Sequence, residues 1–217
     1  MNAMDAIAPD WVRYDIRHIA EEWIKDLHPD EKAIAAGFSP ARRIEFATGR
    51  TSVRGLFPEV LSADCPILIG ERRAPILPQG LHASISHCET FVATAASTTA
   101  HIRGLGIDIE FSDRVTPDLT NTILSCFEKA NLPTRTLACY FSSKEAVFKA
   151  IHGIIGKYID FQDIDLTFCL DHFAAQPRFS DPMLNDIKVE GLVTECGRYV
   201  LAIAWALSAS AHASASM

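Results

Sequence analysis

Residues 106–110 alternate strictly between apolar and acidic, with Ile107 and Ile109 set against Asp108 and Glu110. A period of two belongs to a β-strand, so the isoleucines are expected on one face and both carboxylates on the other. Leu81 to Ser86 alternates in the same way and ends at His87, and Phe91 to Ala96 and His101 to Glu110 also read as strands. Ser97-Thr98-Thr99-Ala100 has the length of a hairpin loop, which predicts that Gly106 to Glu110 finishes the second arm of a hairpin. Short strand-like pieces at Ile67 to Ile69 precede these, with turn signals at Gly70, Pro75 and Pro78-Gln79-Gly80. Towards the C-terminus, Ile164 to Leu170, Ile187 to Thr194 and Arg198 to Leu207 predict strands, the last two joined through Glu195-Cys196-Gly197. The unbroken apolar run from Tyr199 to Trp205 predicts a strand buried on both faces.

Helical patterns fill the rest. Asp15 to Leu27 mixes apolar and charged residues and predicts a short helix. His28-Pro29-Asp30 opens a second that ends at Gly37. Ser39 as cap and Pro40 in the first turn open a third, expected to reach about Leu61 with a bend near Pro58. Thr116-Pro117 opens a helix carrying Leu119, Ile123, Leu124 and Phe127 on one side. Pro133 separates it from a longer one holding Leu137, Tyr140, Phe141, Val147 and Ile151, ended by Gly153 and Gly156. The order of elements predicts an α+β fold of two similar-sized lobes meeting near residues 100–110, although no sequence repeat demonstrates a duplication.

Composition narrows the class. The 217 residues are 48% hydrophobic and 22% charged, enough for one large core or two small ones. A formal charge of −7 gives no bias towards nucleic acid or acidic membranes. No apolar run is long enough to span a bilayer, and Met1 to Asp10 lacks the pattern of a secretory signal. Cys65, Cys88, Cys126, Cys139, Cys169 and Cys196 form no Cys-x-x-Cys, so they read as reduced thiols of a cytoplasmic protein. The Ser/Ala-rich tail, residues 208–217, is assigned no function and is expected to be frayed.

Several side chains carry candidate chemistry. Asp108 and Glu110 repel each other and need compensation, by a divalent cation with oxygen ligands, by basic side chains, or by water. Arg43, Arg50 and Arg54 fall within a narrow arc of one helix, with Arg42 at its edge. Such a stripe suits phosphate, and equally suits a solvated basic face. His87 reads either as a structural imidazole or as a donor beside a phosphate. The other histidines make no metal-ligand spacing with it. Glu145 and Lys149 are i, i+4 neighbours: a helix-surface ion pair, or a third carboxylate and an ammonium aimed at one ligand.

Three stretches, Ser84-Ile85-Ser86-His87, Gly106-Ile107-Asp108-Ile109-Glu110 and Phe141 to Ala150 with its Lys144-Glu145-Ala146, resemble in order and spacing the two-lobed, monomeric phosphopantetheinyl transferases. Arg42 to Arg50 and the Pro75 to Gly80 turn resemble the enterobactin-synthase subgroup, and the likeness covers roughly residues 28–207. Phe141 stands where many members carry Trp, and Thr51 and Ser52 replace an aromatic and a small residue.

The resemblance implies two α/β lobes related by a pseudo-twofold axis, an N-terminal coenzyme A-binding lobe at 1–105 and a catalytic lobe at 106–207. It implies Mg²⁺-dependent transfer of 4′-phosphopantetheine from coenzyme A to a serine of an apo acyl or peptidyl carrier protein, releasing 3′,5′-ADP. Asp108, Glu110 and Glu145 would hold Mg²⁺, with Mn²⁺ as an alternative. Arg42, Arg43, Arg50, Arg72, Ser86, His87, Lys144 and Lys149 would hold coenzyme A. Glu145 is the first choice of general base, and a metal-bound water oriented by Glu110 the second. The segment from Phe111 to Leu137 is the candidate carrier-docking surface. Siderophore and other nonribosomal-peptide, polyketide and fatty-acid carriers all stay open as partners. The rival readings are a Mg²⁺-dependent phosphohydrolase and a non-catalytic coenzyme A-binding module.

Overall fold

The computed structural model describes residues 8–70, 74–131 and 134–208. Strands β1 (Arg13–His18), β2 (His82–Cys88) and β3 (Phe91–Ser97) form an antiparallel sheet in the order β1-β3-β2. Strands β4 (Ile102–Phe111), β5 (Ile164–Cys169), β6 (His172–Pro177), β7 (Ile187–Cys196) and β8 (Tyr199–Ser208) form a second, in the order β4-β8-β7-β6-β5. Two short helices, α1 (Pro29–Ala35) and α3 (Thr120–Ile123), precede or flank the longer ones. Helix α2 (Pro40–Leu56) covers the outer face of the first sheet, and α5 (Leu137–Ile155) covers that of the second. The fold class is α+β, as the sequence implies.

Alternation decides which side chains face which layer. Ile107 and Ile109 of β4, Leu201, Ile203 and Trp205 of β8, and Ala93 and Ala95 of β3 form the apolar seam between the sheets. The opposite face of β4 carries Gly104, Gly106, Asp108 and Glu110. Opposite them in register stand Ala206, Ala204, Ala202 and Val200 of β8. That floor of minimal side chains lets α5 lie almost on the strand. A Cβ at Gly104 would stand 1.8 Å from the Ala150 carbonyl oxygen, and one at Gly106 would stand 1.9 Å from that of Ala146.

Each half is closed by the same device. Glu31 of α1 caps His28 through Oε2, while its Oε1 accepts from Ile67 N and from Arg54 of the long helix α2. Glu128 of helix α4 (Cys126–Ala130) caps Ser125 N through Oε2. The same oxygen accepts from Lys144 of the long helix α5, and Oε1 accepts from Leu166 N. Both glutamates are sealed from solvent.

The structure differs from several expectations. Residues 13–18 form β1 rather than helix, because Tyr14 and Ile16 alternate with charged neighbours and the strand completes a pairing with β3. A 3₁₀ turn at Glu21–Asp26 follows it. Helix α2 stops at Leu56, since Pro58 disfavours helical backbone at Phe57. Strands β3 and β4 are no hairpin: both neighbours of β3 are taken by β1 and β2, and β4 crosses to pair with β8. The helix expected after Thr116 breaks into a 3₁₀ turn and the short α3 and α4. Strand β6 was not foreseen. Among the described residues, no helix is long and apolar enough to cross a membrane. Ser208 ends β8, and the rest of the Ser/Ala-rich tail lies outside the described residues.

Gly106→Ala forces its methyl into a backbone carbonyl that no rotamer can relieve, and is expected to destabilise by about 2–4 kcal/mol. Gly153→Ala, in α5, has open space around its Cβ and should gain about 0.5–1 kcal/mol. Urea denaturation of both variants checks the contrast.

Candidate active site between the sheets

A cleft of about 1400 Å³ opens between α2 and β2 on one side and β4 and α5 on the other. Arg42, Arg50, Ser86, His87 and Lys149 all line it. Side-chain bridges from β2 to β4 fix its floor: Ser84 Oγ accepts from Ile107 N at 3.1 Å, and Ser86 Oγ donates to Asp108 Oδ1 at 2.8 Å.

Asp108 is 6% exposed. Its Oδ1 also accepts from Lys149 Nζ at 2.8 Å, and that ammonium donates to Ile107 O at 2.9 Å. Its Oδ2 is buried without a hydrogen-bond partner among the described residues. Glu110 and Glu145 complete the acidic group. Burial pushes both carboxyls above their ordinary range, and the charge of Asp108 adds to it while Lys149 opposes it. Glu110 Oε1 accepts from Phe111 N at 2.8 Å, which also opposes the rise. The three carboxylates feel one another's charge, and one keeps an orphaned oxygen, a donor set of hard oxygens that suits a divalent cation. They are not drawn into a closed cage: among the described residues, no three acidic, histidine or cysteine side chains form a ready metal cluster.

The lining of the cleft itself is mainly basic, and it meets the acidic group through Lys149 and Ser86, both bonded to Asp108. Arg42 Nη1 donates to His87 Nε2 at 2.8 Å and to Glu45 Oε2 at 3.0 Å. A guanidinium has no acceptor, so His87 Nε2 must carry the lone pair and the imidazole is neutral in this arrangement. Burial also lowers the His87 pKa, against the pull of Glu45. Arg50 is 5% exposed, lies over the Phe46 ring, and donates to the carbonyls of Ile67 and Leu68. Burial brings its pKa down to about 10.

Two family models match this chain: the 4′-phosphopantetheinyl transferase N-terminal domain over residues 30–97, and the 4′-phosphopantetheinyl transferase superfamily over residues 104–204. The chain belongs to the 4′-phosphopantetheinyl transferase superfamily. It is similar to the 4′-phosphopantetheinyl transferase Svp of Streptomyces mobaraensis, with 29% identity over 199 residues that cover 86% of this chain and 80% of the relative. Enterobactin synthase component D of Escherichia coli is 36% identical over 94 residues, 40% of this chain and 44% of its own length. Among solved structures, the holo-ACP-synthase from Plasmodium yoelii matches with a TM-score of 0.41 and 20% identity, covering 50% of this chain and 96% of that one.

Two residues expected to hold coenzyme A in this superfamily member are engaged elsewhere. Lys144 is 1% exposed and donates to Glu128 Oε2, Ile123 O and Phe161 O at 2.7–2.8 Å, so its ammonium is saturated inside the core. It stands beside Glu145 in sequence, but a 100° step turns it away from the cleft. Arg43 reaches back to the carbonyls of Ala35 and Ala36 at the end of α1. Arg54 of the same stripe is held by Glu31 and Cys65 O. Arg72 lies outside the described residues. Sequence reasoning singled out neither Glu45 nor Glu128. Ser125-x-x-Glu128 is a capping-box pattern and could have flagged the latter.

A carboxyl whose pKa is raised on folding binds its proton more tightly in the folded state, so ionising it lowers stability. That penalty is absent below the ordinary Glu range near pH 4 and grows as pH rises through the raised value. Glu145→Gln should therefore stabilise the metal-free protein at pH 7 by roughly 0.5–1 kcal/mol, after allowance for partial solvent screening. The gain should fade below about pH 4. Thermal melts across this pH range check the sign.

Proposed function

We propose that this chain performs the transfer of its superfamily, moving 4′-phosphopantetheine from coenzyme A to a serine of a carrier protein, on the acidic group of Asp108, Glu110 and Glu145 beside Lys149. The observation that carries the reading is the orphaned, buried Oδ2 of Asp108, a carboxylate that is paired with Lys149 through its other oxygen and whose charge is felt by Glu110 and Glu145. Mg²⁺ held by these three side chains would neutralise charge on the pyrophosphate as it parts.

The chain's own residues do the rest. Lys149, on the Asp108 carboxylate, sits where an ammonium can take up charge on the departing phosphate. Arg42, Arg50 and His87 bind the anionic nucleotide end, and Ser86 holds Asp108 in place. The serine Oγ–phosphorus bond forms while the bond from that phosphorus to the bridging pyrophosphate oxygen breaks. The electron pair leaves on the 5′-phosphate of 3′,5′-ADP, and the serine proton passes to Glu145. A carboxyl pushed upwards by burial is the better proton acceptor near neutral pH. Glu110 is the alternative group for guiding that proton.

The division into a coenzyme A-binding lobe at 1–105 and a catalytic lobe at 106–207 belongs to the same proposal, supported by the change of sheet at β4. One chain supplies both walls of the cleft, which favours a monomer. Six unpaired cysteines favour a cytoplasmic setting. The segment from Phe111 to Leu137 stays the proposed carrier-docking surface, with Phe127 exposed on it.

Apo carrier proteins incubated with coenzyme A and Mg²⁺ should each gain one phosphopantetheine on a serine, read by intact mass. Consumption of coenzyme A without a carrier would point to a hydrolase instead. Glu145→Gln should lower transfer by about a hundredfold or more while coenzyme A still binds by calorimetry. Full transfer by that variant removes Glu145 from the mechanism.

A further inference from the structure

A carboxylate is an odd neighbour in an anion-binding pole. Glu45 lines the cleft one turn along α2 from Arg42. Its Oε2 lies 3.0 Å from Arg42 Nη1 and 3.6 Å from His87 Nε2, so one oxygen faces both groups proposed to meet a phosphate. Arg42 and Glu45 are both part-exposed, and such ion pairs add little to fold stability. The effect of Glu45 on an incoming dianion is larger, because two like charges a few ångströms apart in a partly desolvated cleft repel strongly. Glu45 has three roles open to it: holding Arg42 still, favouring a charged His87, and opposing the ligand.

We propose that Glu45 is a built-in counter-anion that weakens the hold of Arg42 and His87 on the 3′-phosphate, and thereby lets the nucleotide product leave. The inference rests on the reading that these two residues bind the 3′-phosphate end of coenzyme A. Coenzyme A and 3′,5′-ADP both carry that phosphate, so both must displace the same carboxylate. An affinity gained by deleting Glu45 would apply to substrate and product alike, and the enzyme would be held back by its own product. Glu45 thus tunes affinity for the shared phosphate through Arg42 and His87 and takes no part in the bond exchange.

Glu45→Gln keeps the helix and the shape and removes the charge. By calorimetry it should tighten coenzyme A and 3′,5′-ADP each by about three- to tenfold. Dephospho-coenzyme A should stay within about twofold, and the inhibition constant of 3′,5′-ADP should fall by the same factor as its dissociation constant. Glu45→Ala should shift both affinities in the same direction, which separates charge from shape, and melting curves establish that both variants fold. Weaker binding of coenzyme A by both variants, or an equal gain for dephospho-coenzyme A, overturns the proposal. Arg42→Ala distinguishes that failure from failure of the underlying reading. Loss of coenzyme A affinity in that variant supports the phosphate contact, and unchanged affinity overturns the contact and the role of Glu45 together.

Discussion

The contact between the backbone of α5 and the face of β4 is the constraint on which the rest of the site depends. A helix ordinarily stands about 10 Å from a sheet because side chains intervene. Here Gly104 and Gly106 remove them, and the carbonyls of Ala146 and Ala150 settle into the gap. Two consequences follow from the periods of the two elements. Along the strand, the next residues on the same face are Asp108 and Glu110. Along the helix, Glu145 and Lys149 adjoin the contacting alanines, so the same approach carries an acid and an ammonium to the strand's carboxylates. Small residues and charged ones are two halves of one arrangement, because a bulky side chain at 104 or 106 would lift the helix and separate the charges.

Much of this was legible. The alternation of Ile107 and Ile109 against Asp108 and Glu110 places the isoleucines in the seam between sheets and the acids towards α5. The apolar run of β8 lies buried between β4 and β7. What was not legible depended on partners distant in sequence. A helical projection puts Arg43, Arg50 and Arg54 on one arc, yet it cannot show that the end of α1 waits for Arg43 or that Glu31 waits for Arg54. Lys144 was misplaced for the same reason: its ligands come from the separate segments around Ile123, Glu128 and Phe161. The crossing from β3 to β4 was hidden because loop length constrains a hairpin without requiring one. Strand β6 was missed because its alanines give weak periodicity.

The burial of Lys144 with Glu128 and of Arg54 with Glu31 assigns these ion pairs to architecture rather than chemistry. Each buried carboxylate is satisfied by two backbone amides as well as its cation, which is the condition under which a charge can be taken out of water without large loss. The Lys144 ammonium, lowered in pKa by burial and raised by Glu128, is therefore a rivet inside the core beside Glu145. It leaves Lys149, further along the helix, as the α5 cation that lines the cleft.

Two of the cleft's cations already have ionic or imidazole partners inside the protein. Lys149 rests on Asp108, and Arg42 rests on Glu45 and His87. Substrate capture is then an exchange of partners, in which internal ion pairs open as external ones close, rather than the meeting of a bare cationic trough with a polyanion. At the paired cations selection happens at contact, by the fit of phosphates to sites that must first be vacated. A nucleotide whose phosphates cannot open those pairs meets the cleft with fewer cations than its lining holds.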